Sequence, residues 1–409
     1  MEESFVPRPA SRVAACRARG AALLLLLSSL FLSGCGLLLP PRLGWWVLNE
    51  GSNRTLDSQA RIDEMLSRAE SSGVHDLFVQ VYRGNRSWYP SKLADDEPSR
   101  RAAIPGYRSP LAYILEQAHR RNLRVHAWVN VFRIAANRQA PILRRLGREA
   151  VLVDNYGRSM LDYEEFRIPG ELGRYFVLGT PGYWLDPGSE RVQQELLAIV
   201  AELIDLHPQL DGVHFDFLRY PYVVPINPGV RFAAGVDFGY GVESRERFER
   251  QSQRRFTRQE GRFIAPKGWD EWRRGQVNAF VRRAHRLVKQ ANPDMALSAA
   301  VLAWADRAYL TAFQDWRGWL DEGLLDFAVV MAYSTDTQLV RHLSRQALAV
   351  GGRSRAAIGL GAYMLLDDLG QLRRQLDVVE ELRPGLIVLF SYDSMLQRPE
   401  SFEALRAAP

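Results

Sequence analysis

The sequence is poor in the residues that would point to several common chemistries. Cysteine occurs only at positions 16 and 35 of 409 residues, too few for a disulfide framework. No paired H-x-H or H-E-x-x-H motif is present to hold a catalytic metal. No glycine-rich phosphate turn follows an early strand, which argues against an open, doubly wound nucleotide-binding sheet. The apolar run Ala21 to Leu32 is too short for a comfortable membrane span. An apolar fraction of 47% and a charged fraction of 24% describe a soluble globular chain rather than a disordered or polytopic one. The formal charge is +6. Its basic residues are almost all arginine and are spread along predicted helices. That is the pattern of solvated helix faces, and with no nucleic-acid motif present, no nucleic-acid partner is expected.

The N-terminus does carry information. Arg12, Arg17 and Arg19 precede the apolar run, which ends in Leu32-Ser33-Gly34-Cys35. This order resembles the bacterial lipobox, in which the signal peptide is cut before the cysteine and the thiol receives lipid. The resemblance implies a signal peptide over 1–34, a lipidated Cys35 with a short linker over 35–43, and a folded domain over 44–409. Loss of the leader removes Cys16, so no internal disulfide remains, and the net charge falls to +4 because 1–34 holds four arginines and two glutamates. Gly36, rather than Asp, follows the cysteine. In that pattern the expected location is the cell envelope, at the outer membrane facing the periplasm in a Gram-negative cell. Acyl chains on one cysteine hold a soluble domain at a bilayer without a spanning helix.

From Gly44 onward, strand-like and helix-like segments alternate. Strands are expected at 44–50, 76–82, 124–132, 212–220, 296–303, 327–333, 356–363 and 385–393. Helices are expected from about Asp57 and Ser109, over 187–206 behind an Asp186 N-cap, and at 271–291, 313–322, 336–349 and 367–381, with a short one near 399–407. Eight strands, each followed by a helix, predict a single (β/α)₈ barrel. The longest connections follow strands three and four, on the carboxyl-end face where barrels place substrate loops.

Strand parity then selects the inward side chains. Val125, Ala127, Val129 and Val131 form the helix-facing side of strand three, leaving His126, Trp128 and Asn130 inside. Leu77, Val79 and Val81 leave Gln80 and Tyr82 inside on strand two. On strand four, within DGVHFDFLRYPY (211–222), His214, Asp216 and Tyr220 face inward and Arg219 faces away. A lone carboxylate near the mouth costs several kcal/mol to bury unless it is paired, so Asp216 is read as functional. His126 and His214 are read as hydrogen-bonded layer residues rather than metal ligands. No metal or cofactor is expected.

DGVHFDFLRYP, with FGY at 238–240, resembles the glycosyl-hydrolase-like family 10 barrels, many of which are bacterial lipoproteins. GWWV at 44–47, HAWVN at 126–130, WLDPG at 184–188, GLLDFAVVMAYSTD at 323–336, IGLGAY at 358–363 and IVLFSYD at 387–393 agree in order. The resemblance implies hydrolysis of a glycan, a cell-wall glycan for the better understood members. Many relatives have a second Asp where this chain has Phe217. A looser likeness to family-18 chitinases places Asp216 and Tyr333 at motif positions, but Leu218 stands where their acid Glu would be.

Glycosidic cleavage ordinarily needs two carboxyl groups. Asp216 is the expected nucleophile or base. Asp336 is the proposed partner, with N-capping as its competing role, while Glu50 and Asp393 stay open. Aromatic faces near strand ends can stack on sugar rings. The substrate-binding set is Gln80, Tyr82, Trp128, Asn130, Trp184, His214, Tyr333 and Tyr363. The sequence therefore predicts a glycoside hydrolase acting on an envelope polysaccharide, peptidoglycan glycan strands foremost. The alternative is a glycan-binding lipoprotein on the same barrel that performs no catalysis.

Overall fold

The computed structural model describes residues 40–226 and 235–405. The leader, Cys35 and its lipidation lie outside the described residues. Eight parallel strands form the centre: β1 (Arg42–Val47), β2 (Val74–Arg83), β3 (Arg124–Asn130), β4 (Gly212–Asp216), β5 (Ala296–Leu302), β6 (Phe327–Met331), β7 (Ala356–Leu360) and β8 (Leu386–Phe390). Each pairs with its sequence neighbours, and β1 pairs with both β2 and β8, so the sheet closes on itself. The helices α1 (Gln59–Ser71), α2 (Pro110–His119), α3 (Glu190–Leu206), α4 (Trp269–Ala291), α5 (Trp316–Asp321), α6 (Thr337–Arg355) and α7 (Leu369–Glu381) follow the first seven strands. The fold is a (β/α)₈ barrel, as the alternation predicted. Among the described residues no helix is long and apolar enough to cross a membrane.

Two apolar layers hold it together. Between strands and helices lies one large core containing Leu77, Val79, Val125, Ala127, Val213 and Phe215. Inside the barrel, Trp46, Phe78, Trp128, Ala300, Val329 and Val388 form a second cluster. Strands buried on both faces read as nearly continuous apolar runs, as LIVLF and FAVVM do here. Polar groups inside are paired in layers. At the amino-terminal end Asp76 takes Arg124 at 2.7 Å and His126 Nε2 at 3.0 Å, and His126 stacks on Phe78. One layer up, the Trp46 indole N–H donates to His214 Nε2 at 3.1 Å, and His214 Nδ1 lies 2.9 Å from Ser298 Oγ. A neutral ring satisfies both contacts if its proton is on Nδ1, and burial holds the His214 pKa well below the ordinary histidine value.

Three local expectations are corrected. Tyr82 does not face the barrel interior. A bulge lies between Gln80, which pairs with Trp128, and Tyr82, which pairs with Val129. It turns Tyr82 into the outer core, where Asn85 donates to its hydroxyl. Strand four ends at Asp216 rather than near 220, because Phe217 adopts φ 53°. In that left-handed conformation parity is lost. Tyr220 lies in the outer core against Phe313, and Arg219 turns toward the mouth. Finally, α3 starts three residues later than predicted, capped by Ser189, whose side chain accepts from Val192 N.

Asp186, displaced from its expected cap, is a buried strut. It accepts from Gly188 N at 2.8 Å and from the Ser244 hydroxyl at 2.7 Å, and burial raises its pKa to about 6. A carboxylate whose folded pKa exceeds its unfolded value binds more protons when folded, so its contribution to stability declines as pH rises between the two. Asp186→Asn should therefore gain on the wild type by about 2 kcal/mol between pH 4 and pH 6. Urea unfolding of both proteins across that range would show it; a constant difference would contradict it.

Candidate active site

The long insertions after β3 and β4 lean on each other over one side of the mouth. Phe176–Leu178 pairs antiparallel with Val223–Pro225, and Asn155 N bonds Asp237 O at 2.8 Å. Beneath and beside them a cleft of about 510 Å³ opens at the carboxyl ends of the strands. Its lining includes Trp46, Trp128, Asp216, Phe217, Arg219, Tyr222, Trp304, Arg307, Tyr333, Tyr363 and Phe390.

The aromatic rings are ordered. Tyr333 and Phe390 lie 5.8 Å apart with planes 35° from parallel, and Tyr363 meets both edge-on. Trp46 packs edge-on beneath Tyr333 and Phe390. Tyr363 and Trp304 are 48% and 52% exposed at the rim, which leaves their faces open to a ligand. Flat apolar faces beside polar groups suit sugar rings, whose C–H faces are apolar and whose edges carry hydroxyls.

Asp216 is the one carboxylate among the described residues that lines this cleft. Its Oδ1 accepts the Phe217 N–H at 2.6 Å. Asp216 is half-buried, and desolvation raises its pKa, opposed by the Phe217 amide and by the charges of Arg219 and Arg133. The Trp128 indole N–H beside it also favours the charged form but has no partner within hydrogen-bond geometry. Tyr333 stays a neutral phenol, its pKa pushed up by burial and by the Asp216 charge.

Phe217 sits between two cations, with Arg133 5.0 Å and Arg219 5.4 Å from its ring centroid. Arg219 also lies over Trp184 and Tyr222. A neighbouring hollow of about 540 Å³, lined by Arg83, Arg86, Arg133, Glu50 and Asp95, is of another character. There Glu50 already pairs with Arg83 and Arg86, each at 3.3 Å.

Of the residues singled out from sequence, Asp216, Trp128, Tyr333 and Tyr363 come together in the cleft. Gln80 and Asn130 are buried and bond each other at 3.3 Å. His214 is fully buried in its layer, and Trp184 is buried behind Phe217 and Arg219. Tyr82 lies outside the barrel wall. Asp336 caps a helix, accepting from Gln338 N at 2.8 Å and Leu339 N at 3.3 Å at the start of α6, and is exposed and not among the residues lining the cleft. Asp393 accepts from Leu48 N at 2.7 Å and Thr55 Oγ1 at 3.2 Å, tying the end of β8 to the chain leaving β1. Sequence reasoning set Arg219 on the wrong side and missed Trp304 and Arg307. Trp304 follows β5 by two residues, a position that could have marked it.

Comparisons with known proteins agree with this architecture. The chain is 23% identical over 400 residues to glycosyl hydrolase DigH of Escherichia coli K12, covering 90% of this chain and 82% of that protein. It is 24% identical over 288 residues to glycosyl hydrolase YngK of Bacillus subtilis, covering 66% of this chain and 48% of that protein. Among solved structures, the β-galactosidase of the psychrophilic Marinomonas ef1 superposes with a TM-score of 0.52 at 13% identity, over 86% of this chain and 54% of the other. Gan42B, a GH42 β-galactosidase of G. stearothermophilus, gives 0.52 at 12% identity, over 90% and 56%. The chain thus spans little more than half of either solved protein, and these likenesses concern the barrel alone. The profile of the Glycosyl hydrolase-like 10 family matches residues 42–349, about three quarters of the sequence. The chain belongs to that family.

Proposed function

We propose that the protein is a glycoside hydrolase that cleaves O-glycosidic bonds in an envelope polysaccharide, peptidoglycan glycan strands foremost, while anchored by lipid on Cys35 in the cell envelope, at the outer membrane in a Gram-negative cell. The observation that carries the reading is the placement of Asp216, a carboxyl group of raised pKa at the mouth of the barrel within a cleft walled by Trp46, Tyr333, Tyr363 and Phe390. Of the two roles open to Asp216, nucleophile or base, the raised pKa favours the base. A carboxylate of higher pKa accepts a proton from water more readily, and catalytic pKa values work best near the operating pH. Among the described residues no second carboxylate lines the cleft, so this reading gives a role to Asp216 and assigns no residue to protonate the leaving oxygen.

That same lone carboxylate supports the second reading, a glycan-binding lipoprotein without catalysis. One experiment separates them. The full chain is incubated with defined cell-wall glycans, intact and stripped of peptide, and the products are analysed by mass. New reducing ends support the hydrolase. Glycan binding with no reducing ends released over prolonged incubation would leave only the binding reading. In the hydrolase, kcat/KM should fall on the acid side as Asp216 takes up a proton, at a pH above that of an ordinary aspartate.

A further inference from the structure

The cleft contains arginines that, among the described residues, no carboxylate meets at salt-bridge distance. Arg219 is 4% exposed, and buried guanidinium groups are normally matched by a carboxylate because desolvating a charge is costly. Among the described residues none lies within salt-bridge distance of it. Its hydrogen bonds go to the Tyr220 carbonyl at 3.2 Å and the Thr180 hydroxyl at 3.3 Å. Stacking on Trp184, Phe217 and Tyr222 fixes the guanidinium plane but supplies no negative charge. Arg307 lines the same cleft, also without an ion-pair partner among the described residues, its Cζ 5.0 Å from the Tyr222 ring centroid.

Tyr222 thus stands between two guanidiniums. Its ring packs so closely on Gly179 that a Cβ there would collide with it, which fixes the ring between the two charges. The cleft lining carries these two guanidiniums against the single carboxylate of Asp216, so it stays cationic when Asp216 is ionised and becomes more so when Asp216 is protonated.

We infer that the Arg219–Tyr222–Arg307 side of the cleft is a subsite for a sugar-borne carboxylate, with Tyr222 supporting the ring and the two arginines holding the acid group. Planar guanidiniums suit this task because they meet carboxylate oxygens with paired N–H donors. The inference rests on the glycan reading of the cleft and extends it: the substrate carries an acidic substituent on the unit that occupies this side.

The test uses β-1,4-linked N-acetylhexosamine oligosaccharides bearing lactyl ether carboxylates, as the free acid and as the methylamide, with a sulfated N-acetylglucosamine oligomer of equal length. Equilibrium binding is measured on the full chain, and release of reducing ends is followed in parallel. The free acid should bind at least about tenfold tighter than the methylamide, the size expected for hydrogen bonds to a charged group. Raised salt should shrink that advantage. It should collapse in Arg219→Gln and in Arg307→Gln, and persist only in part in Arg307→Lys, which keeps the charge without the paired donors. Arg307 is exposed, so its variants test the idea even if Arg219→Gln fails to fold. Equal affinity for acid and amide, binding of neither, or an advantage untouched by Arg307→Gln would overturn the subsite. Tighter binding of the sulfated oligomer through the same arginines would overturn its assignment to carboxylate. Equal cleavage of both forms would remove the subsite and keep the hydrolase. Selective binding without cleavage would do the reverse.

Discussion

Asp216→Asn should lower kcat on a glycan substrate by about 10²–10⁴-fold, the usual contribution of a general acid–base group, and leave glycan binding in place. The substitution keeps the side-chain shape, and the amide oxygen can still accept the Phe217 N–H that now bonds Oδ1 at 2.6 Å. What disappears is the group that can take the proton. The same substitution should act on stability in the opposite direction. Burial raises the Asp216 pKa, so the folded state binds its proton more tightly than the unfolded chain does. Stability is therefore lost as pH rises from the unfolded pKa through the folded one, and above that window the wild type bears a cost that asparagine avoids. Higher thermal stability of Asp216→Asn at neutral pH, together with lost turnover, would be the signature of a functional carboxylate held at an energetic disadvantage. An active variant would remove Asp216 from the mechanism, and a destabilised one would make it a structural group.

Trp46→Ala should cost about 3–5 kcal/mol, as expected for a buried indole of the barrel interior. Trp46 is 1% exposed and packs against Phe78, Tyr333, Phe390 and His214. Its ring also fills the space above Gly359, where an added Cβ would come within 2.9 Å of it. Trp46→Phe separates volume from polarity. It keeps most of the packing but leaves His214 Nε2 without its donor, which should cost about 1–3 kcal/mol. Chemical denaturation of the three proteins would rank them wild type, Phe, Ala. If Phe and wild type are equal, the Trp46–His214 hydrogen bond contributes nothing net. Because Trp46 also lines the cleft, Trp46→Ala should weaken glycan binding under conditions where the protein remains folded.

The strand order was legible because both faces of each strand are buried, so segments such as FAVVM and LIVLF stand out against polar, arginine-rich helices. Parity worked wherever the backbone stayed regular, as for His126, Trp128 and Asn130 on β3. It failed at two irregularities that local sequence does not announce. One is the bulge that turns Tyr82 outward. The other is the left-handed Phe217, a conformation that disfavours bulky side chains and is held by packing against Trp184 and two arginines. Arg219 was misjudged for that reason: it was assigned to a strand that had already ended. Asp336 was ambiguous because an aspartate before a helix serves equally well as a cap, and only its bonds to Gln338 N and Leu339 N decide. Trp304 and Arg307 reach the cleft through the path of the chain after β5, which no periodicity records.

The closure of the sheet bears on how the chain acquires its fold. β1 hydrogen-bonds β8, and Asp393 reaches Leu48 N across 345 positions of sequence. During synthesis β1 emerges long before β8. Until then one edge of β1, carrying Trp45 and Trp46, has no partner. Exposed strand edges invite association with other chains, and contacts so distant in sequence form slowly. A chain shortened before Leu386 would keep that edge permanently open. It should aggregate rather than yield a smaller folded protein, even though the family profile ends at residue 349.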